Sequence, residues 1–100
     1  MANIETFAPA YGQGIAVTPG ATSANSLIPV GTTSLCITNR NSVECFVRVG
    51  TGVGLAATAA DYLVPPNAQV TISKFADYDR IAYIAPAGGG SLHIIPGEGF

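Results

Sequence analysis

From Ile15 onward the chain is a succession of short apolar runs, each closed by residues that turn the backbone. Runs near 14–18, 26–30, 33–38, 43–49, 62–64, 68–73, 80–85 and 91–95 have the length of strands. Between them lie Pro19-Gly20, Gly31, Asn39-Arg40-Asn41-Ser42, the glycines Gly50, Gly52 and Gly54, Pro65-Pro66-Asn67, Asp77-Tyr78-Asp79 and Gly88-Gly89-Gly90. These residue types make tight turns or stop a strand. No segment sustains a helical period, and Ala56 to Asp61 has room for one helical turn at most. The pattern predicts an all-β fold: one small β-sandwich or jelly-roll-like domain of seven or eight short antiparallel strands over residues 15–100. Residues 1–14 read as an extended N-terminal arm. Its large apolar residues, Ile4, Phe7 and Tyr11, are spaced among Pro9, Gly12 and Gly14, which oppose both helix and a central strand.

The clearest alternation sets an expected register. Leu35 and Ile37 alternate with Cys36 and Thr38, and Val43, Cys45, Val47 and Val49 alternate with Glu44, Phe46 and Arg48. A hairpin that keeps the apolar set on one face pairs Leu35 with Cys45 and Ile37 with Val43 across an odd-length loop. Asn39 or Asn41 would supply the left-handed residue of that loop. Shifting by one residue would set Cys36 opposite Cys45, inviting a disulfide but splitting the apolar residues between faces. The first register predicts two free thiols. Lys74 and Pro29 fall where protection of sheet edges is expected.

Composition sharpens the class. Val, Ile and Thr number 8, 9 and 9, against 5 Leu and 1 Met, and branching at Cβ suits a pleated surface. In 100 residues only 10 are charged, where ordinary globular chains carry about 25%. The net charge of −2 offers no basic field for nucleic acid or an anionic membrane. No apolar run approaches the ~18 residues of a membrane-spanning helix, and no signal peptide is visible. A surface this poor in charge is poorly guarded against self-association unless a partner covers it.

The chemical inventory is thin. Gly50-Thr51-Gly52-Val53-Gly54 comes directly after a strand but has Leu55 where a dinucleotide fingerprint needs a small residue. Prolines soon stop the downstream segment, so the glycines read as a loop. His93, the only histidine, lies between Leu92 and Ile94 and points to the face opposite them. Cys36, Cys45 and His93 lack metal-ligand spacing. Asp77 and Asp79 lack the glycine and distal glutamate of a calcium loop and read as caps of turn amides. Asp61 reads as a turn residue, with pairing to an arginine at a subunit contact as the alternative. Phe46, Tyr62, Phe75, Tyr78, Tyr83 and Phe100 have no cationic groove beside them and read as core and interface packing. No catalytic set, metal or cofactor is predicted, and the chain reads as a non-enzyme.

Leu35-Cys-Ile-Thr-Asn-Arg-Asn-Ser-Val-Glu-Cys-Phe-Val-Arg-Val-Gly50, Ala56-Ala-Thr-Ala-Ala-Asp-Tyr62 followed by prolines, and the closing Ile95-Pro-Gly-Glu-Gly-Phe100 resemble a pattern in small tailed-bacteriophage virion proteins. Together these stretches cover roughly residues 30–100. The family they resemble is the head decoration, or cement, proteins. The cysteines are no part of that pattern. The resemblance implies a β-sandwich or jelly-roll unit made in the host cytoplasm and bound outside the capsid, stabilising the shell through oligomer and lattice contacts. Its implied partners are its own copies, as a trimer, and the major capsid protein, with no nucleic acid or membrane. Ile4, Phe7, Tyr11, Tyr62 and Phe100 are the candidate interface residues, the arm reaching a neighbouring subunit or the shell. Two other readings are a phage tail, fibre or adaptor component, and a small carbohydrate- or peptide-binding module. The last would show exposed aromatic side chains in a loop groove.

Overall fold

A computed structural model describes residues 8–98. Within them the chain forms β1 (Ala8–Pro9), β2 (Ile15–Val17), β3 (Ala24–Leu27), β4 (Ser34–Asn39), β5 (Cys45–Gly50), β6 (Tyr62–Val64), β7 (Gln69–Ser73), β8 (Arg80–Ile84) and β9 (Leu92–Glu98). One sheet runs β1-β9-β4-β7, with β2 also on β9, and the other runs β3-β8-β5-β6. All pairings are antiparallel. The fold is thus an all-β sandwich of two sheets, and its strand order is that of an eight-stranded jelly roll. The ninth strand, β1, comes from the N-terminal segment and pairs Ala8 with Glu98 and Pro9 with Gly97. Phe7, Ile4 and Phe100 lie outside the described residues.

The sandwich is one long two-stranded ribbon, rolled up. Ile15 pairs with Ile94, Ala24 with Tyr83, Ser34 with Ser73 and Cys45 with Val64, so every pair is centred near residue 54. The Gly50-Thr51-Gly52-Val53-Gly54 segment is the tip of this ribbon, a turn and not a phosphate loop. No helical turn forms over 56–61, where a single backbone bond runs from Asp61 N to Thr58 O. Rolling adds the remaining pairs, β4 on β9 and β5 on β8. The ribbon stays hydrogen-bonded as it passes between sheets. Ile28 N donates to Asp79 O, Gly31 N to Ala76 O and Lys74 N to Thr33 O at one corner, and Asn39 N to Ala68 O and Asn67 N to Asn41 O at the next.

The hairpin expected between 33–38 and 43–49 does not form. β4 and β5 lie in different sheets, and residues 40–44 carry the chain across the sandwich. Leu35 and Ile37 do share a core with Cys45 and Val47, but they face them from the opposite sheet. Alternation fixes the face of a strand, and two strands facing each other across a core show the same alternation as two neighbours. Neither Asn39 nor Asn41 is left-handed; among the described residues the sole non-glycine with positive φ is Asn67, at 55°. Asn39 instead points inward and fills the corner. Both thiols are free and buried, as expected, though the register argued for them is not the one adopted.

The core is built from Leu35, Ile37, Leu92 and Ile94 of one sheet and Cys45, Val47, Val64, Ile81 and Tyr83 of the other. Each large aliphatic among them contributes roughly 1.5–3 kcal/mol by leaving water. The strand expected near 26–30 is β3 at Ala24–Leu27 and ends earlier, because Pro29 has no amide to extend the ladder.

Candidate functional site

Of the seven large apolar side chains exposed among the described residues, three lie at one seam of the sandwich and the other four, Val53, Tyr62, Leu63 and Phe75, lie elsewhere. β2 and β3 are edge strands of the two sheets on the same side, and between them lies an open groove of about 540 Å³. Gly12 to Ile15 form one wall and Leu27 to Val30 the other. Tyr11, Leu27 and Val30 are 84%, 62% and 61% exposed.

The geometry of this seam arises from local sequence. Ala10 N donates to Pro96 O and Ile15 pairs with Ile94, so Tyr11-Gly12-Gln13-Gly14 loops out opposite the single residue Ile95. Gly12 takes φ of +84°, and a Cβ on Gly14 would meet His93 Nε2 at 3.0 Å. The loop therefore needs glycine at position 12, whereas a side chain at 14 would require the His93 ring to shift. It interrupts the sheet edge, a device that discourages uncontrolled strand addition, while it presents Tyr11 to solvent.

Of the expected interface residues, the two that are described, Tyr11 and Tyr62, lie apart. Tyr11 stands at the β2/β3 seam, whereas Tyr62, 51% exposed, lies on β6 at the far edge of the other sheet. Leu27 and Val30 are additions that strand patterning hid, since apolar residues in a run near 26–30 read as inward. Phe75 is another. Of the two places expected for the aromatic side chains, core and interface, it is not in the core: it is 69% exposed in the β7–β8 connection, with Tyr78 edge-on at 5.1 Å.

Lys74 does not guard an edge. It is buried, and its Nζ donates to Phe75 O at 3.3 Å and Tyr78 O at 3.0 Å, closing the 75–78 turn. Burial pushes its pKa below the ordinary lysine value, an effect opposed by the carboxylates of Asp77, Glu98 and Asp79. Among the described residues neither Asp77 nor Asp79 caps a backbone amide, and Asp79 Oδ1 is buried with no hydrogen-bond partner. The turn is held by the lysine, which makes the aspartates unnecessary as caps.

Asp61 is the turn residue anticipated, and the arginine it pairs with, Arg48, belongs to its own chain and not to a subunit contact. Its Oδ2 accepts from Thr58 N at 2.7 Å, and its Oδ1 accepts from Arg48 Nε at 3.1 Å. Beside it the ribbon tip is strapped to β3. Asn25 Nδ2 donates to Val53 O and Leu55 O, and Ala57 N donates to Ser23 Oγ. This strap shields Ala82 on the outer side of β8.

His93 pairs with Thr38 and Ala16 on the outward face of its sheet, as the alternation requires. Burial raises the Cys45 thiol above its ordinary value, with a backbone hydrogen bond from Ser91 pulling the other way. A thiol so placed is a poor nucleophile. Among the described residues no three His, Cys, Asp or Glu side chains come close enough to hold a metal ion.

No protein-family model matches the chain, and no curated protein matches it. Among solved structures it is similar to the crystal structure of PirA, at a TM-score of 0.57 and 14% identity, covering 84% of this chain and 93% of that one. It is also similar to a structure of Bacillus endospore appendages, described as disulfide-linked pili, at 0.50 and 15%, covering 87% and 83%. A de novo designed double-stranded β-helix is a third, at 0.44 and 17%, covering 85% and 95%. At these identities the likeness is one of fold, and fold does not carry function.

Proposed function

We propose that this chain is a non-catalytic structural protein of a tailed-bacteriophage virion, binding the outside of the capsid as a decoration protein. The observation that carries this reading is the β2/β3 seam, where Tyr11, Leu27 and Val30 leave apolar surface uncovered around an open groove. Contiguous exposed apolar surface on a small domain marks a contact site. Among the described residues no charged side chain lines that groove, which suits the charge-depleted centre of a protein interface. Repetition on a symmetric lattice would multiply a modest contact into stable attachment. The resemblance of residues 30–100 to small virion proteins supplies the class of partner, the major capsid protein, and the trimer its own assembly.

The test is cosedimentation of the purified protein with undecorated capsids, followed by electron microscopy. The expected result is density on the head exterior, lost in the double variant Leu27→Asp/Val30→Asp. Protein that stays in the supernatant, or that locates to the tail, defeats the proposal. Deleting residues 1–13 with no change in binding or oligomer size would remove the arm from it.

A further inference from the structure

We propose that the β7–β8 connection is a binding subsite for one neutral pyranose ring, with Phe75 as its stacking platform. Such a subsite is independent of any attachment to a capsid. A cavity of about 210 Å³ opens there, lined by Ser73, Lys74, Phe75 and Tyr78. That is smaller than the several hundred Å³ of a drug-sized pocket and fits a single six-membered ring. The Phe75 and Tyr78 rings stand at 89° to each other, so two walls of the cavity are aromatic and perpendicular. Phe75 is 69% exposed, and among the described residues its aromatic partner is Tyr78 of the same turn. The negative face of such a ring attracts the weakly positive C–H groups on the apolar side of a sugar.

Polar groups and charge select among ring ligands. The Lys74 ammonium has three donors and gives two to Phe75 O and Tyr78 O, leaving one N–H for a hydroxyl acceptor. Ser73 adds a hydroxyl on the exposed edge strand. The carboxylates of Asp77, Asp79 and Glu98 all act on Lys74, and that field opposes an anionic ligand. A cation would meet the Lys74 ammonium in the cavity lining itself. A neutral, polyhydroxylated ring satisfies both conditions.

The experiment is a titration of isotope-labelled protein, followed by amide chemical shifts. The probes are methyl β-galactopyranoside, methyl α-glucopyranoside and N-acetylglucosamine, with benzoate and tetramethylammonium as charged controls. The expected result is saturable shifts confined to residues 73–78 for at least one sugar, at a Kd of roughly 1 mM. Phe75→Ala should weaken that binding about tenfold, while Phe75→Trp retains it and Val53→Ala, at an exposed site elsewhere, changes nothing. No saturable shift with any of the sugars overturns the proposal. So does sugar binding that survives Phe75→Ala, or tighter binding of either charged control at the same residues. Loss of binding in Phe75→Ala counts only with the remaining spectrum unchanged, and the Phe75→Trp result then decides between a platform and a merely structural side chain.

Discussion

Asn39 and Lys74 stand at two successive corners where the rolled ribbon crosses between sheets, and each holds its corner through backbone carbonyls. Asn39 is 1% exposed; its Nδ2 donates to Val43 O at 2.8 Å and Val64 O at 3.3 Å, and its Oδ1 accepts from Asn41 N at 3.0 Å. Lys74, 7% exposed, also reaches two carbonyls, but it brings a positive charge into a place that disfavours charge. The amide is neutral at every accessible pH and both its ends are used. The ammonium must be desolvated, and the carboxylates of Asp77, Glu98 and Asp79 offset only part of that cost. Equal numbers of hydrogen bonds therefore do not mean equal stabilisation: a satisfied neutral group contributes nearly its whole bond energy, whereas a buried cation gives part of it back.

The largest expected effect is at Asn39. Asn39→Ala takes the Asn39 partner from two carbonyls and an amide at a corner where the side chain itself is buried, and should lower unfolding free energy by about 2–3 kcal/mol. Urea denaturation measures this, and a loss smaller than that of Lys74→Met would invert the comparison. Lys74→Met should be milder, about 1 kcal/mol near neutral pH, because losing the two bonds is offset by removing a desolvated charge. Its pH dependence has a definite sign. The folded pKa is lowered from 10.5, so between the lowered value and 10.5 the unfolded chain holds more protons than the folded one. Stability of the wild type should therefore rise with pH across that window relative to the methionine variant. A constant difference between the two proteins would refute the buried-cation account.

The smallest effect belongs to Asn25, which repeats the chemistry of Asn39 in a wetter place. Its Nδ2 also donates to two carbonyls, Val53 O and Leu55 O, at 3.0 and 2.9 Å, but the site is only partly buried. Water can replace the lost amide, so Asn25→Ala should lower stability by about 0.5–1 kcal/mol. Hydrogen exchange should accelerate selectively at residues 53–57, where the strap is released. Exchange that accelerates across the whole domain would mean that the tip is part of the cooperative core.

Much of the fold was legible because β-branched residues alternate and turn residues punctuate. All eight runs overlap a strand, from β2 to β9; β3 begins two residues before its run and β9 extends three residues beyond its own. The pairing was not legible. Arg40 to Glu44 has the length of a hairpin loop and of a sheet-to-sheet crossing, and nothing local distinguishes them. The role of Asn39 was hidden for the same reason, since a polar residue beside a loop reads as part of the loop. Of the interface candidates, Tyr11 is exposed at the seam, but Leu27 and Val30 escaped notice because an apolar residue in a strand-like run carries no mark of the face it takes after the strand ends. Phe75 was placed in the core or an interface without a choice between them, and only its position beyond the last ladder pair of β7 leaves it outside.

Residue types and their spacing were enough to settle that this protein is made of short strands and that few charges protect its surface. Those properties depend on side-chain chemistry and on a period of two, which are local. Only in the folded molecule is it settled that the chain forms one ribbon centred near residue 54, that β4 faces β5 across a core, and that the sparse charge leaves an open apolar seam between β2 and β3. Partner choice is a global matter, because each strand's neighbour is set by how the whole ribbon rolls to bury Leu35, Ile37, Val47, Ile81 and Ile94 together.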